Sequence, residues 1–199
     1  MSIVDLLTLL AQIGLFFLII TAVFRMSPVA LGWRFFDQIM RNFKGAPVVH
    51  LSSITSQLYV GGQHHTKGWE QMQAMGITAI VNLREATYDD HASGIAPERY
   101  LHLPTVDNTP PSLEALRIGV AFISDEIERG GRVYVHCASG VGRAPTLAAA
   151  YLISTGLTPR EALKTIKKVR PFIAPRSSQK KQLALFALEQ VPHPTRPGA

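Results

Sequence analysis

The stretch Val133-Tyr134-Val135-His136-Cys137-Ala138-Ser139-Gly140-Val141-Gly142-Arg143-Ala144-Pro145-Thr146 constrains the fold of this chain more than any other. It reads as strand, loop and helix. Residues 133–135 are β-branched or aromatic, as a short buried strand requires. Gly140 and Gly142 permit a tight backbone. Pro145 suits a first helical turn, where its missing N–H costs nothing, and Leu147-Ala-Ala-Ala-Tyr-Leu-Ile continues as a buried helix. A loop of this kind turns successive main-chain amides toward one point at a helix N-terminus, which is an anion cradle.

Cys137 opens that loop, and Arg143 stands six residues later. The nucleophilic form of cysteine is the thiolate. Inward amides, the helix dipole and the Arg143 guanidinium all favour that anion. The amides of Ala138, Ser139, Gly140, Val141, Gly142 and Arg143 would bind phosphate oxygens, two of which Arg143 would also hold through its planar fork. Cys137 then lies in line to attack phosphorus. Cys-x5-Arg alone also describes a small buried cysteine followed by an ordinary turn. The longer string His-Cys-x-x-Gly-x-Gly-Arg, set between strand and helix, is what favours the cradle.

Residues 136–143 resemble the signature loop of the cysteine-dependent protein tyrosine phosphatases, dual-specificity branch. The resemblance covers roughly residues 54–188. It implies a phosphocysteine intermediate at Cys137, phosphate binding by the loop amides and Arg143, and no metal or other cofactor. It also implies that His136 supports the thiolate from beside it; belonging to the strand, His136 should point away from the phosphate and is not read as a base. One position departs from the family. Most members carry Ser or Thr directly after the arginine, where the hydroxyl helps the thiolate leave; here it is Ala144. Thr146 is the candidate substitute.

Breaking a phosphate ester leaves an alkoxide or phenoxide that needs a proton, and a loop aspartic acid is the natural donor. Asp107 lies in Thr105-Val106-Asp107-Asn108-Thr109-Pro110-Pro111, thirty residues before Cys137, a separation similar to that of the family's general-acid loop. A turn-forming aspartate is the plainer reading of the same residue. Asp89 and Asp90 are the alternatives. Gln179 resembles a position where some members orient the hydrolytic water; an exposed helix glutamine fits it equally. Arg84 ends a buried strand and is read as structural. His64 and His65 lack a further ligand at matching spacing and are expected at the surface.

At 199 residues the chain has room for one domain and an appendage. A single cysteine excludes an internal disulfide. The formal net charge is +6, distributed unevenly. Residues 25–158 hold eleven Lys/Arg and eleven Asp/Glu, whereas residues 159–199 hold nine and two. Lys164, Lys167, Lys168 and Arg170 read as a solvated helix face. No nucleic-acid partner is expected.

Residues 6–24 carry no charged side chain. At 1.5 Å per residue this run nearly matches a bilayer core of roughly 30 Å. The only charge ahead of it is Asp5, unlike the basic start of a secretory signal, and Arg25, Arg34, Arg41 and Lys44 follow. The run reads as a single-pass anchor with the catalytic domain facing the cytoplasm. A buried core helix is the alternative. Residues 28–44 mix aromatic and basic side chains and suit either a membrane interface or a surface packed on the domain.

Short strands are expected at residues 48–51, 58–60, 77–83, 100–103 and 133–135. Helices are expected at 69–75, 113–129, from 158 to about 169, and from 177 to about 190. This interleaving predicts an α/β fold: a central, mostly parallel sheet flanked by helices on both faces, preceded by one transmembrane helix. The expected organisation is a transmembrane anchor at 1–25, a juxtamembrane segment at 26–46, a phosphatase domain at 47–190 and a flexible tail at 191–199. The expected function is a membrane-tethered phosphomonoester phosphatase. Its partners are the membrane and a phosphorylated protein or lipid, although a loop without lysine suits a highly phosphorylated inositol lipid poorly. A phosphate-binding module without turnover is the alternative that Ala144 favours.

Overall fold

The computed structural model describes residues 3–24 and 27–190. The expected tail at 191–199 lies outside them. Four short strands build the sheet: β1 (Leu58–Gly61), β2 (Ala79–Asn82), β3 (Arg99–His102) and β4 (Val133–His136). Their spatial order is β1-β4-β2-β3, and every pairing is parallel. Val135 pairs with Val60 on one side and Val81 on the other, so β4 is a central strand. The C-terminal end of that strand delivers His136 and Cys137.

A parallel sheet needs both faces covered. Leu58, Val60, Ala79, Val81, Val133 and Val135 point into one core. Helices α4 (Leu113–Glu128), α5 (Arg143–Ser154), α6 (Pro159–Val169) and α7 (Ser177–Gln190) supply the rest of it. Tyr59, Ile80 and Tyr134 point the other way, onto Met72 and Trp69 of α3 (Thr66–Ala74). Helix α5 is buried from Arg143 through Ala150 and packs against α4, α6, α7 and β4. A helix enclosed on all sides must be apolar all round, as Leu147-Ala-Ala-Ala is.

The ends of these helices follow from their sequences. Ser112 caps α4, its hydroxyl accepting from Ala115 N. Thr158 and Glu161 form a reciprocal capping box on α6, with Pro159 in its first turn. Two helices precede the sheet: α1 (Ile3–Phe24) and α2 (Pro28–Lys44). Ser27 caps α2, and Gly45 at φ +70° ends it.

Two expectations change. Residues 49–51 form a 3₁₀ turn instead of a strand. Its neighbourhood meets the sheet through an isolated bridge, Ser53 to Tyr59, and a bond from Val60 N to Ser52 O at 2.8 Å. The expected transmembrane helix is not found either: among the described residues, no helix is long and apolar enough to cross a membrane. The α1 backbone is helical, but its side chains are described only at residues 3 and 5–16.

Candidate active site

Between β4 and α5, residues 137–142 wrap into a loop in which the carbonyls of residues 138–142 are all held from outside. Ala138 O accepts from Gln63 N at 3.0 Å, and Val141 O accepts from Ala174 N at 2.9 Å. Gly142 O accepts from the Thr146 hydroxyl at 2.8 Å. The buried Arg170 guanidinium donates Nε to Gly140 O at 2.8 Å and Nη2 to Ser139 O at 3.1 Å. In a trans peptide the next N–H points opposite to its carbonyl. Five outward carbonyls therefore turn the amides of residues 139–143 inward. Gly140 N donates to Cys137 Sγ at 3.3 Å, the contact expected if the amides stabilise a sulfur anion.

Gly140 has to be glycine. Its φ is +66°, and a Cβ there would come within 2.3 Å of the Gly61 backbone. The loop is thus pressed against the end of β1, with Arg170 behind it.

Cys137 and Arg143 line one cavity of about 1190 Å³. Arg143 is 2% exposed, its guanidinium fixed by bonds from Nη1 to Thr105 O at 2.7 Å and Leu83 O at 3.2 Å. Two carboxylates reach it as well: Asp107 Oδ1 at 2.9 Å from Nη2, and Glu85 Oε2 at 3.2 Å from Nη1. Glu85 also accepts from Asp107 N at 2.8 Å. Its own main-chain amide and Arg143 hold the Glu85 carboxyl below its ordinary value, outweighing desolvation. Asp107 stands on the cavity wall, on a turn where Asn108 adopts φ +63° and accepts from Arg176 Nε at 2.8 Å.

Behind the loop, His136 is fully buried. Its Nε2 lies 2.6 Å from Asp90 Oδ2, and its Nδ1 lies 3.4 Å from Cys137 O. Asp90 Oδ1 accepts from Gln63 Nε2 at 2.8 Å. Burial raises the Asp90 carboxyl, but the bond and charge of His136 outweigh it and hold Asp90 below its usual range. Asp90 therefore sits behind the cradle, out of reach of a leaving group. Asp89 folds onto the amides of His91 and Ala92. Of the three aspartates read as proton donors, only Asp107 faces the cavity.

Other residues differ from their sequence reading. Gln179 is buried, not exposed: its Nε2 donates to Thr109 O on the Asp107 turn at 3.0 Å, and its Oε1 accepts from Arg176 N. The Thr146 hydroxyl bonds Gly142 O, so it braces the loop's end. His64 is buried, with Nε2 donating to Ile95 O at 2.6 Å, while His65 is exposed as expected. His64, Asp90 and His136 place ligand-capable atoms within 4.8 Å of one another. The hydrogen bond to Ile95 O and the Asp90–His136 contact already engage two of those residues with one another and one with the backbone. Arg170 leaves the lysine face altogether, because α6 ends at Val169 and the chain turns there to φ −122°, ψ 77°. Lys164, Lys167 and Lys168 remain exposed and line the cavity. Arg84 is structural, stacking on Tyr88 and donating to Gln63 Oε1.

Sequence reasoning missed Arg170, Asp37 and Glu85. Asp37 on α2 is 1% exposed and accepts from Arg170 Nη2 at 3.0 Å and Arg41 Nε at 3.1 Å. The signal available for Arg170 was Pro171, which stops α6 one residue earlier than a lysine-face reading needs.

The architecture has known counterparts. The chain is 33% identical over 145 residues to mouse dual specificity protein phosphatase 1, covering 72% of this chain and 38% of that protein. It is 33% identical over 152 residues to mouse dual specificity protein phosphatase 2, covering 75% and 46%. The chain thus spans less than half the length of these relatives. Among solved structures, PTPMT1 in complex with PI(5)P superposes with a TM-score of 0.64 at 27% identity, covering 69% of this chain and 94% of that one. The active form of Tk-PTP superposes at 0.63 and 27% identity, covering 69% and 95%. Residues 58–188 match the dual specificity phosphatase catalytic domain, and the chain belongs to that family.

Proposed function

We propose that this chain is a phosphomonoester phosphatase held at a membrane, acting through a phosphocysteine on Cys137. The observation that carries the chemistry is the loop whose five carbonyls are tied outward around Cys137, closed by Arg143. The Cys137 thiolate attacks phosphorus, an S–P bond forms as the ester P–O bond breaks, and the leaving oxygen takes a proton from Asp107. Water then attacks phosphorus, Asp107 accepts its proton, and phosphate departs as the thiolate is restored. The inward amides of residues 139–143 and Arg143 stabilise the charge on the equatorial oxygens throughout. His136 fixes the start of the loop and Thr146 its end. No cofactor enters these steps.

The substrate is a phosphorylated protein or a phospholipid. The relatives named protein phosphatases favour the first, and the PTPMT1 complex with PI(5)P favours the second. Eight Lys or Arg line the cavity against one acid, Asp107, which supports a substrate bearing negative charge beyond its scissile phosphate. The phosphatase domain is assigned to residues 47–190, an anchor to 1–25 and a juxtamembrane segment to 26–46, with the domain on the cytoplasmic side. The uncharged run at 6–24 and the basic residues after it support this arrangement. Ala144, fully buried where the family usually has a hydroxyl, favours a second reading in which the phosphoenzyme forms readily and hydrolyses slowly.

The test is a substrate panel of p-nitrophenyl phosphate, phosphopeptides, phosphoinositides and phosphatidylglycerophosphate, given to the full chain and to Cys137→Ser. The wild type should release phosphate from at least one, and Cys137→Ser from none. Equal release by both ends the reading.

A further inference from the structure

Helix α2 buries Ala30, Leu31, Asp37 and Arg41 against the domain and leaves its larger apolar side chains outside. Asp37 and Arg41 bond Arg170 and Gln63 O there. Its outward side carries Val29, Trp33, Phe36, Ile39 and Phe43, each between 43% and 80% exposed. The spacing 29, 33, 36, 39, 43 puts these on one side of the helix. An apolar stripe of this size facing outward marks an interaction surface.

Three observations identify what covers it. Helix α1 exposes apolar side chains too, among them Leu6, Leu7, Leu10 and Ile13. Trp33 meets Phe36 edge to face, with centroids 5.8 Å apart, and an amphipathic indole such as that of Trp33 prefers the headgroup level of a bilayer. The third is charge. Arg34, next to Trp33, lines the same cavity as Cys137, together with Arg160, Lys164, Lys167 and Lys168. An apolar stripe bordered by cations fits anionic headgroups above an acyl boundary. A second copy of the chain would instead set this basic rim against itself.

We propose that the outward face of α2 docks into the interfacial layer of an anionic bilayer, placing the cavity mouth at the lipid surface. The inward face of the same helix holds Arg170 through Asp37, and Arg170 holds the loop carbonyls. The helix that meets the lipid is therefore the helix behind the phosphate cradle. The proposal deepens the membrane-held reading but does not depend on catalysis.

The full chain carrying Trp69→Phe leaves Trp33 as the single tryptophan. It is reconstituted in phosphatidylcholine vesicles with and without phosphatidylglycerol. The expected result is a blue-shifted Trp33 emission, quenched by lipids brominated near the headgroup and shielded from iodide, most strongly with phosphatidylglycerol. If the protein floats with the vesicles while Trp33 stays open to iodide and unquenched by bromine, the docking proposal fails and the α1 tether survives. If the protein does not float with the vesicles, both fail. In a second arm, Phe36→Glu/Phe43→Glu should cut hydrolysis of a vesicle-embedded phospholipid monoester by tenfold or more and leave p-nitrophenyl phosphate hydrolysis unchanged. Unchanged rates on both substrates, or equal falls on both, count against it. The Trp33 measurement requires no turnover, so a failure of the phosphatase reading is seen separately.

Discussion

Asp107 and Arg143 are ion-paired, Oδ1 to Nη2 at 2.9 Å, with the carboxylate 62% exposed and the guanidinium 2% exposed. The proton donor and the phosphate clamp of the proposed reaction are thus partners. A bound phosphate competes with Asp107 for the same N–H groups. Exposure weakens the pair, so the exchange is easy. Asp107→Asn should lower kcat on alkyl phosphates by about 10²–10⁴-fold. The fall should be smaller where the leaving group needs no proton. Inhibition by vanadate should be unchanged or tighter, because a negative charge has left the phosphate's neighbourhood. Initial rates and vanadate inhibition constants measure both; weaker vanadate binding would contradict the pairing argument.

Asp37 lies between two buried guanidiniums, 3.0 Å from Arg170 and 3.1 Å from Arg41. Removing one partner from a buried ion pair strands the remaining charge, typically at about 3–5 kcal/mol. Asp37→Asn should lose stability on that scale in denaturant unfolding. Arg170 should also hold Ser139 O and Gly140 O less firmly, so the inhibition constant for inorganic phosphate should rise at temperatures where the variant is still folded. A loss of stability with unaltered phosphate inhibition would separate α2 from the loop.

The buried His64 gives stability a pH dependence. Burial first, and the nearby His136 charge second, lower its pKa to about 4. The unfolded chain takes up this proton near pH 6.5, whereas the folded chain refuses it until about 4. Stability therefore falls as pH drops across that window, by up to about 3 kcal/mol. His64→Gln should flatten the slope between pH 6 and pH 4.5, whatever its effect on stability at pH 7. An unaltered slope in denaturant titrations would remove His64 as the source.

Ala144 gives the thiolate no hydroxyl as it leaves. Ala144→Ser adds one oxygen at the first turn of α5 and should speed hydrolysis of the phosphoenzyme more than its formation. Rapid-quench kinetics should then show a smaller initial burst and a higher steady-state rate. A burst unchanged in size would mean that the added hydroxyl does not speed hydrolysis of the phosphoenzyme.

Much of this architecture is legible in the sequence, for identifiable reasons. Residues 133–135 are apolar on both faces, and that alone implies a strand covered on both sides. Thr158 and Glu161 mark the start of α6 by cap chemistry. Cys137, Arg143 and the two loop glycines are adjacent in the chain, so local pattern suffices to find them. What escaped was long-range. Asp37 and Arg170 lie 133 residues apart and are charged, and their burial follows only from meeting each other. Gln179 is buried by Thr109 O, seventy residues earlier. Residues 49–51 have strand-like composition, but no neighbouring strand edge pairs with them.

The most direct measurement is to quench the full chain in acid shortly after mixing with a phosphomonoester substrate and map the phosphoryl group by mass spectrometry. The account predicts one phosphoryl adduct on Cys137, absent from Cys137→Ser, which should also fail to turn over. An adduct on another side chain, or steady turnover by Cys137→Ser, would contradict it.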